Sequence, residues 1–111
     1  MQITWADFEK IDIRVGSIIE VNDFPKARKP AYKLLVDFGE GTGIKRSSAQ
    51  VTAHYKKDDL LNRQVIAVVN FPPKQIADFV SECLVLGVYD ANNDVILLQP
   101  ERGVKNGQRI G

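Results

Sequence analysis

Five stretches of period-two apolar residues, a short helical link between the third and fourth, and a proline-stiffened loop after the fourth predict an all-β fold. The pattern is that of a five-stranded Greek-key barrel of the OB type, with short helices and N- and C-terminal extensions. At 111 residues the chain is long enough to bury a core of its own and reads as a single domain, 1–111.

Each element has its own reason. Thr4 to Lys10 opens on a capping residue and carries Trp5, Phe8 and Ile11 at helical spacing, which predicts a short amphipathic helix against the body or a second subunit. From Ile11 the period becomes two, with Ile11, Ile13 and Val15 alternating with Asp12 and Arg14, and Ile18, Ile19 and Val21 continuing to Asn22. Gly16 inside that strand predicts a bulge or bend, as a small closed barrel requires. The proline-bounded loop Phe24 to Pro30 leads into a second strand, Tyr32 to Phe38, with one apolar face and one mixed face. Gly39 to Gly43 reads as a hairpin turn and Ile44 to Ala49 as the third strand. Thr52 to Leu61 is the helical link, Gln64 to Asn70 the fourth strand, and Ser81 to Tyr89 the fifth. A turn at Asp90 to Asp94, a further strand from Val95 to Gln99 and a tail to Gly111 follow.

The loop between the fourth and fifth strands is the most informative segment. Pro72 and Pro73 cannot donate to a ladder, so the fourth strand ends near Asn70 and passes into a preformed connection. Stiff loops of this kind usually hold something. Phe71 and Phe79 flank it, and an exposed ring here would stack a base, worth about 1–3 kcal/mol, or hold an apolar peptide side chain. One ring belongs to the core; Phe79, at the far end beside Asp78, is expected to be the exposed one. Phe71, Pro72 and Phe79 are therefore the candidate peptide-binding residues.

Net charge is only +1, which by itself speaks against a strong nucleic-acid binder, but its distribution is uneven. Residues 26 to 57 hold eight basic residues against two acids, a balance of +6 that leaves −5 elsewhere. Such asymmetry creates a local positive field for phosphates or acidic peptides, or else is a set of solvated lysines. Lys33 and Arg46 lie on the strands that line an OB groove, where cations neutralise phosphates without reading sequence, or serve solubility. Arg14 alternates with Ile13 and Val15, so it faces a phosphate, a partner, or solvent.

Other classes find little support. Cys83 is the only cysteine and His54 the only histidine, so neither a catalytic thiol with its base nor a four-ligand zinc site is expected, and no cofactor is implied. Cys83 reads as a buried apolar residue and His54 as a surface one. No P-loop, nucleophile with its base or paired-carboxylate motif is present, so the reading is non-enzymatic. The start of the chain lacks a readable signal peptide, and no segment approaches the roughly 20 apolar residues of a membrane span. A cytoplasmic protein without membrane insertion is expected.

The residues also carry a resemblance. Asp7 to Gly16, Val36 to Gly39, Val65 to Asn70 and Ser81 to Leu84 together resemble the tRNA-binding domain attached to some methionyl- and tyrosyl-tRNA synthetases and found as stand-alone dimers. Phe24 to Arg28, Ile44 to Gln50 and Asn70 to Lys74 are most similar to stand-alone members described as chaperones of protein export. The resemblance covers essentially the whole chain. It implies an OB-fold homodimer that binds tRNA or other RNA, and unfolded preprotein or peptide. The candidate RNA-binding groove comprises Arg14, Lys33, Lys45, Arg46, Ser81 and Glu82; for Ser81 and Glu82 the resemblance implies hydrogen bonds to the ligand, the alternative being a pairing at a strand start. The apolar residues flanking the five-strand set, namely Trp5, Phe8, Val95 to Leu98 and Ile110, are the expected dimer interface.

Overall fold

The computed structural model describes residues 1–111. Helix α1 (Trp5–Glu9) begins at Thr4, whose hydroxyl accepts from the Asp7 amide at 3.1 Å while the Asp7 carboxylate accepts from the Thr4 amide at 3.0 Å. This reciprocal cap satisfies N–H groups that no helical carbonyl reaches. Strands β1 (Ile13–Asp23) and β2 (Tyr32–Asp37) follow, then a single helical turn α2 (Gly39–Thr42), strand β3 (Ile44–Ala49), the short helix α3 (Lys57–Leu60) and strand β4 (Gln64–Val68). After β4 come β5 (Lys74–Ile76), β6 (Phe79–Ser81), β7 (Leu84–Val85), β8 (Gly87–Tyr89) and β9 (Val95–Leu97).

The main sheet has the order β3-β2-β1-β4-β7, every pairing antiparallel. It curls until its edges nearly meet, giving the expected OB-type barrel. The Glu82 amide donates to the Arg46 carbonyl at 2.7 Å, and Ser47 Oγ donates to the Cys83 carbonyl at 3.0 Å across the seam. Inside, β2 alternates strictly, with Tyr32, Leu34 and Val36 buried, and joins Ile18, Phe38, Leu60, Val65, Ala67 and Cys83 in one core.

Strand β1 makes the curvature possible. Its first half, Ile13 to Ser17, pairs with β4, and its second half, Ser17 to Asp23, pairs with β2. The bend lies at Ile19, which has no opposite number between the Ile18–Val36 and Glu20–Leu35 pairs. The bulge is therefore not at Gly16, where the sequence places it. Ile18 points inward, Ile19 and Glu20 outward, and Val21 packs against the core again: an extra residue resets the period-two phase. Gly16 serves packing instead, since a Cβ there would stand 2.7 Å from the Phe38 and Val36 side chains.

Four further expectations are corrected. The Gly39 to Gly43 turn is one turn of helix, with the Gly43 amide donating to the Gly39 carbonyl at 2.7 Å. The link after β3 is helical only at α3, although it still carries Leu60 fully into the core. The loop after β4 holds a β-hairpin, β5 with β6, closed by Ala77 and Asp78, with Ala77 at φ 51°. The fifth strand is broken at Leu86, which donates to the Ile66 carbonyl at 2.8 Å and accepts from the Leu98 amide at 3.1 Å. Here the chain changes partner from β4 to β9, so it bends away from the barrel.

The tail runs along the edge of β1 that β2 leaves free. The Val15 amide donates to the Gln108 carbonyl at 3.0 Å, the Gly107 amide to the Val15 carbonyl at 2.7 Å, and the Ile110 amide to the Ile13 carbonyl at 2.8 Å. An unpaired edge in the first strand is thereby covered.

Candidate functional site

The β5–β6 hairpin stands beside the Phe24 to Pro30 loop, and a cleft of about 970 Å³ opens between them. Its walls carry the cations Lys26, Arg28, Lys29 and Lys74, the apolar side chains of Phe71, Pro72, Ile76 and Leu84, and the polar side chains of Ser48, Gln50, Gln75 and Ser81. Arg28, Lys29, Lys74 and Phe71 are all exposed, Phe71 at 54%. Lys26 meets Asp78, at the hairpin tip, at 3.4 Å.

Next to the cleft is a second grouping of rings and cations. Phe24 and Phe79 pack edge to face with centroids 5.5 Å apart. Lys33 Nζ lies 5.7 Å from the Phe24 centroid and 6.0 Å from that of Phe79, and the Arg46 guanidinium carbon is 5.9 Å from Phe79. Both arrangements fall within cation–π range. Phe24 is buried and Phe79 half-buried, so the expectation of an exposed Phe79 is corrected. The alternation of β6 turns Phe79 towards Phe24, and Phe71 is the free ring. Phe71 and Pro72 stand together in the cleft, while Phe79 lies outside its lining.

Ser81 and Glu82 join the two groupings. Glu82 Oε1 accepts from the Arg46 amide at 3.0 Å and from Arg46 Nε at 3.1 Å. The amide bond, first, and the guanidinium hold the Glu82 carboxyl below its ordinary range against the opposing effect of desolvation. Ser81 Oγ accepts from the Ser48 amide at 3.4 Å and donates to the Cys83 carbonyl at 3.3 Å. The Ser-Glu pair thus fastens the hairpin to β3, and Arg46 is tied into the scaffold with one flank on Phe79. Lys45 is half-buried on the same strand, and its charge lowers the proton affinity of Glu82.

Arg14 is not brought to this group. Its Nε lies 2.6 Å from Asp12 Oδ1 and its Nη1 donates to the Gly107 carbonyl at 3.1 Å, in a separate depression lined also by Lys105 and Arg109. The basic run of residues 26 to 57 divides too, because Lys57 is held at α3 by Asp23 at 2.9 Å. Cys83 is buried, and burial pushes its thiol up to about 11, a value unsuited to a nucleophile. His54 is exposed and its Nε2 lies 2.6 Å from Asp90 Oδ2. No helix is long and apolar enough to cross a membrane.

Sequence reasoning missed Phe24 and the individual cleft residues Lys26, Arg28, Lys29, Gln50 and Ile76. The signal for the cations was present in the basic balance of the first loop. Nothing local showed that a hairpin 50 residues later would stand opposite it.

A five-stranded barrel with a cationic, aromatic-bearing cleft between the loops after its first and fourth strands is an OB-type binding module. The chain belongs to the tRNA-binding domain family: a family model described as a putative tRNA binding domain matches residues 13–109. It is similar to the CsaA chaperone protein of Picrophilus torridus, at 58% identity and a TM-score of 0.93, covering 99% of this chain and 100% of that one. The chaperone CsaA of Bacillus anthracis is 46% identical with a TM-score of 0.93, all of both chains being covered. A methionine-tRNA ligase of Thermococcus onnurineus is 40% identical over 108 residues, 97% of this chain. The chain spans only 14% of that ligase's length, so the similarity is to one segment of it.

Proposed function

We propose that this protein is a non-enzymatic RNA-binding module, with tRNA as the representative ligand, that takes the sugar-phosphate backbone into the cleft between the first loop and the β5–β6 hairpin. One observation carries the reading: Lys26, Arg28, Lys29 and Lys74 ring a cleft that also presents the exposed Phe71 ring. The cations neutralise phosphates, the ring stacks an unpaired base, and the rigid hairpin keeps both in place. Membership of the tRNA-binding domain family supports it. Arg46, Ser81 and Glu82 act mainly by holding the hairpin on β3, with Lys33 and Lys45 adding to the field from the adjoining face.

A second reading concerns the same cleft. Phe71, Pro72, Ile76 and Leu84 give it an apolar wall suited to an extended, unfolded polypeptide, and the two solved structures cited above are described as chaperones. In this reading the protein is a cytoplasmic homodimer that holds preproteins for export, and RNA and peptide compete for one site.

Titrating fluorescent tRNA at several salt concentrations tests the first reading. Each neutralised phosphate contributes about 0.7 to the logarithmic salt slope on single strands, so three or four cleft cations predict a slope of about −2 to −3. Reversing Arg28 and Lys29 to Glu removes both contacts and flattens the slope by about 1.4. Unchanged affinity and slope in that variant would exclude the cleft as the RNA site. An unfolded apolar peptide that displaces the tRNA would establish the shared site; one that binds without displacing it would separate the two readings.

A further inference from the structure

The β5–β6 hairpin touches the first loop through the Phe24–Phe79 rings and, at its tip, through an ion pair, Lys26 to Asp78 at 3.4 Å. Asp78 is half of the two-residue tip between the paired Ile76 and Phe79. That tip is held in shape by Ala77 in the left-handed region and by Gln75 Nε2, which donates to the Ala77 carbonyl at 2.8 Å. The carboxylate is thus presented at a fixed place. Of the four cations that line the cleft, only Lys26 is engaged by an acid; Arg28, Lys29 and Lys74 form no ion pair. Glu82, the acid that lines the cleft, is engaged by Arg46.

We propose that the Lys26–Asp78 pair is a clasp over the cleft, in which the Asp78 carboxylate holds the place that a phosphodiester takes on Lys26 when RNA binds. The inference rests on the RNA reading given above. Carboxylate and phosphate offer the same lysine the same kind of acceptor oxygen, so the two compete for it. Both partners are well exposed, with side chains 70% and 50% accessible, and a pair in that setting is weak enough for a ligand to open. An incoming strand that releases Lys26 gains its charge, while one that cannot displace the Asp78 carboxylate leaves the clasp closed. Asp78 therefore sets how much backbone charge a ligand must bring, and selects phosphate-dense strands over neutral ones.

The test is a thermodynamic cycle on the whole chain, with a short single-stranded RNA oligonucleotide as probe and the wild type, D78N, K26M and the double variant as hosts. D78N leaves the hairpin's size and backbone unchanged, and far-ultraviolet dichroism verifies the fold of each protein. Expected is a two- to fivefold gain in affinity for D78N at low salt, the range set by the strength of an exposed ion pair, with the salt slope unchanged because the same Lys26–phosphate contact forms in both complexes. K26M alone changes the affinity little but flattens the slope by about 0.7, and K26M in the D78N background erases the gain in affinity. A gain of equal size with or without Lys26 overturns the clasp, because Asp78 would then act by general repulsion. Wild-type binding with an unaltered D78N also overturns the clasp and leaves the RNA reading standing. Absence of binding by every host overturns both.

Discussion

Arg46 and Glu82 illustrate how a residue type with an obvious ligand-binding role is used for construction. The carboxylate accepts two hydrogen bonds from one arginine, through its amide and its Nε, so removing either side chain loosens the hairpin as well as changing charge. Charge reversal at Arg46 would place two carboxylates together at the seam, which is why Arg28 and Lys29 are the cleaner probes of RNA contact. Phe79 follows the same logic. Its ring packs on Phe24 and lies beneath Lys33 and Arg46, so Phe79→Ala is expected to lower stability by about 2 kcal/mol, below the ~3–5 kcal/mol of a fully buried phenylalanine. Chemical denaturation measures it. A variant with wild-type stability would show that the ring contributes no packing.

At the scale of elements, β1 decides the shape of the barrel by serving two neighbours in succession. Gly16 sits where the strand passes under Phe38, and Gly16→Ala forces a methyl to within 2.7 Å of Phe38 and Val36. Overpacking of this kind costs about 1–3 kcal/mol, so a lowered melting temperature is expected, and Phe38→Leu in the same chain should recover part of the loss by opening space. Equal melting temperatures for Gly16→Ala and wild type would reject the close-packing account. The strands up to β4 were legible because period-two burial is written locally in residues such as Tyr32, Leu34 and Val36. The bulge was not, because Ile18, Ile19 and Val21 are all apolar and only the pairing register shows which one is extra. The β5–β6 hairpin was hidden for a different reason: its turn is Ala77-Asp78, without the glycine or asparagine that usually marks a two-residue connection. Half of the proposed site was likewise legible, since Phe71, Pro72 and the basic first loop are prominent in sequence, whereas the placement of Arg14 depends on the tail, 93 residues away.

On the scale of the whole molecule, many of the apolar residues left uncovered lie on the additions to the barrel, while Ile19, Ile44 and Leu84 are exposed on its own strands. Leu97 turns into the core, and Val95 packs against it, which removes both from the expected interface. Trp5 is 79% exposed, and Val88, Ile96 and Leu98 remain open on the hairpin of β8 and β9. The proposed homodimer draws on these residues, so sedimentation equilibrium at micromolar concentration is expected to give twice the chain mass. Ile96→Asp with Leu98→Asp should yield a folded monomer. A wild-type monomer under those conditions would reject the assembly. Two copies present two clefts, and a strand long enough to span them gains avidity without any stronger contact.

The tail's course along β1 has a consequence for architecture beyond edge protection. Arg109 donates to the Glu9 carbonyl at 3.0 Å and Ile110 to Ile13 at 2.8 Å, while Asn70 of the barrel donates to the Lys10 carbonyl at 2.7 Å. The first and last segments of the fold therefore leave it at the same corner, with the cleft formed by other loops. A body built in this way can be joined to a second polypeptide at either end, or set into its surface, without any strand being threaded or the binding face being covered. That is the geometry of an interchangeable part, and it gives a physical basis for the similarity of one sequence both to chains of its own size and to a single segment of a much larger ligase.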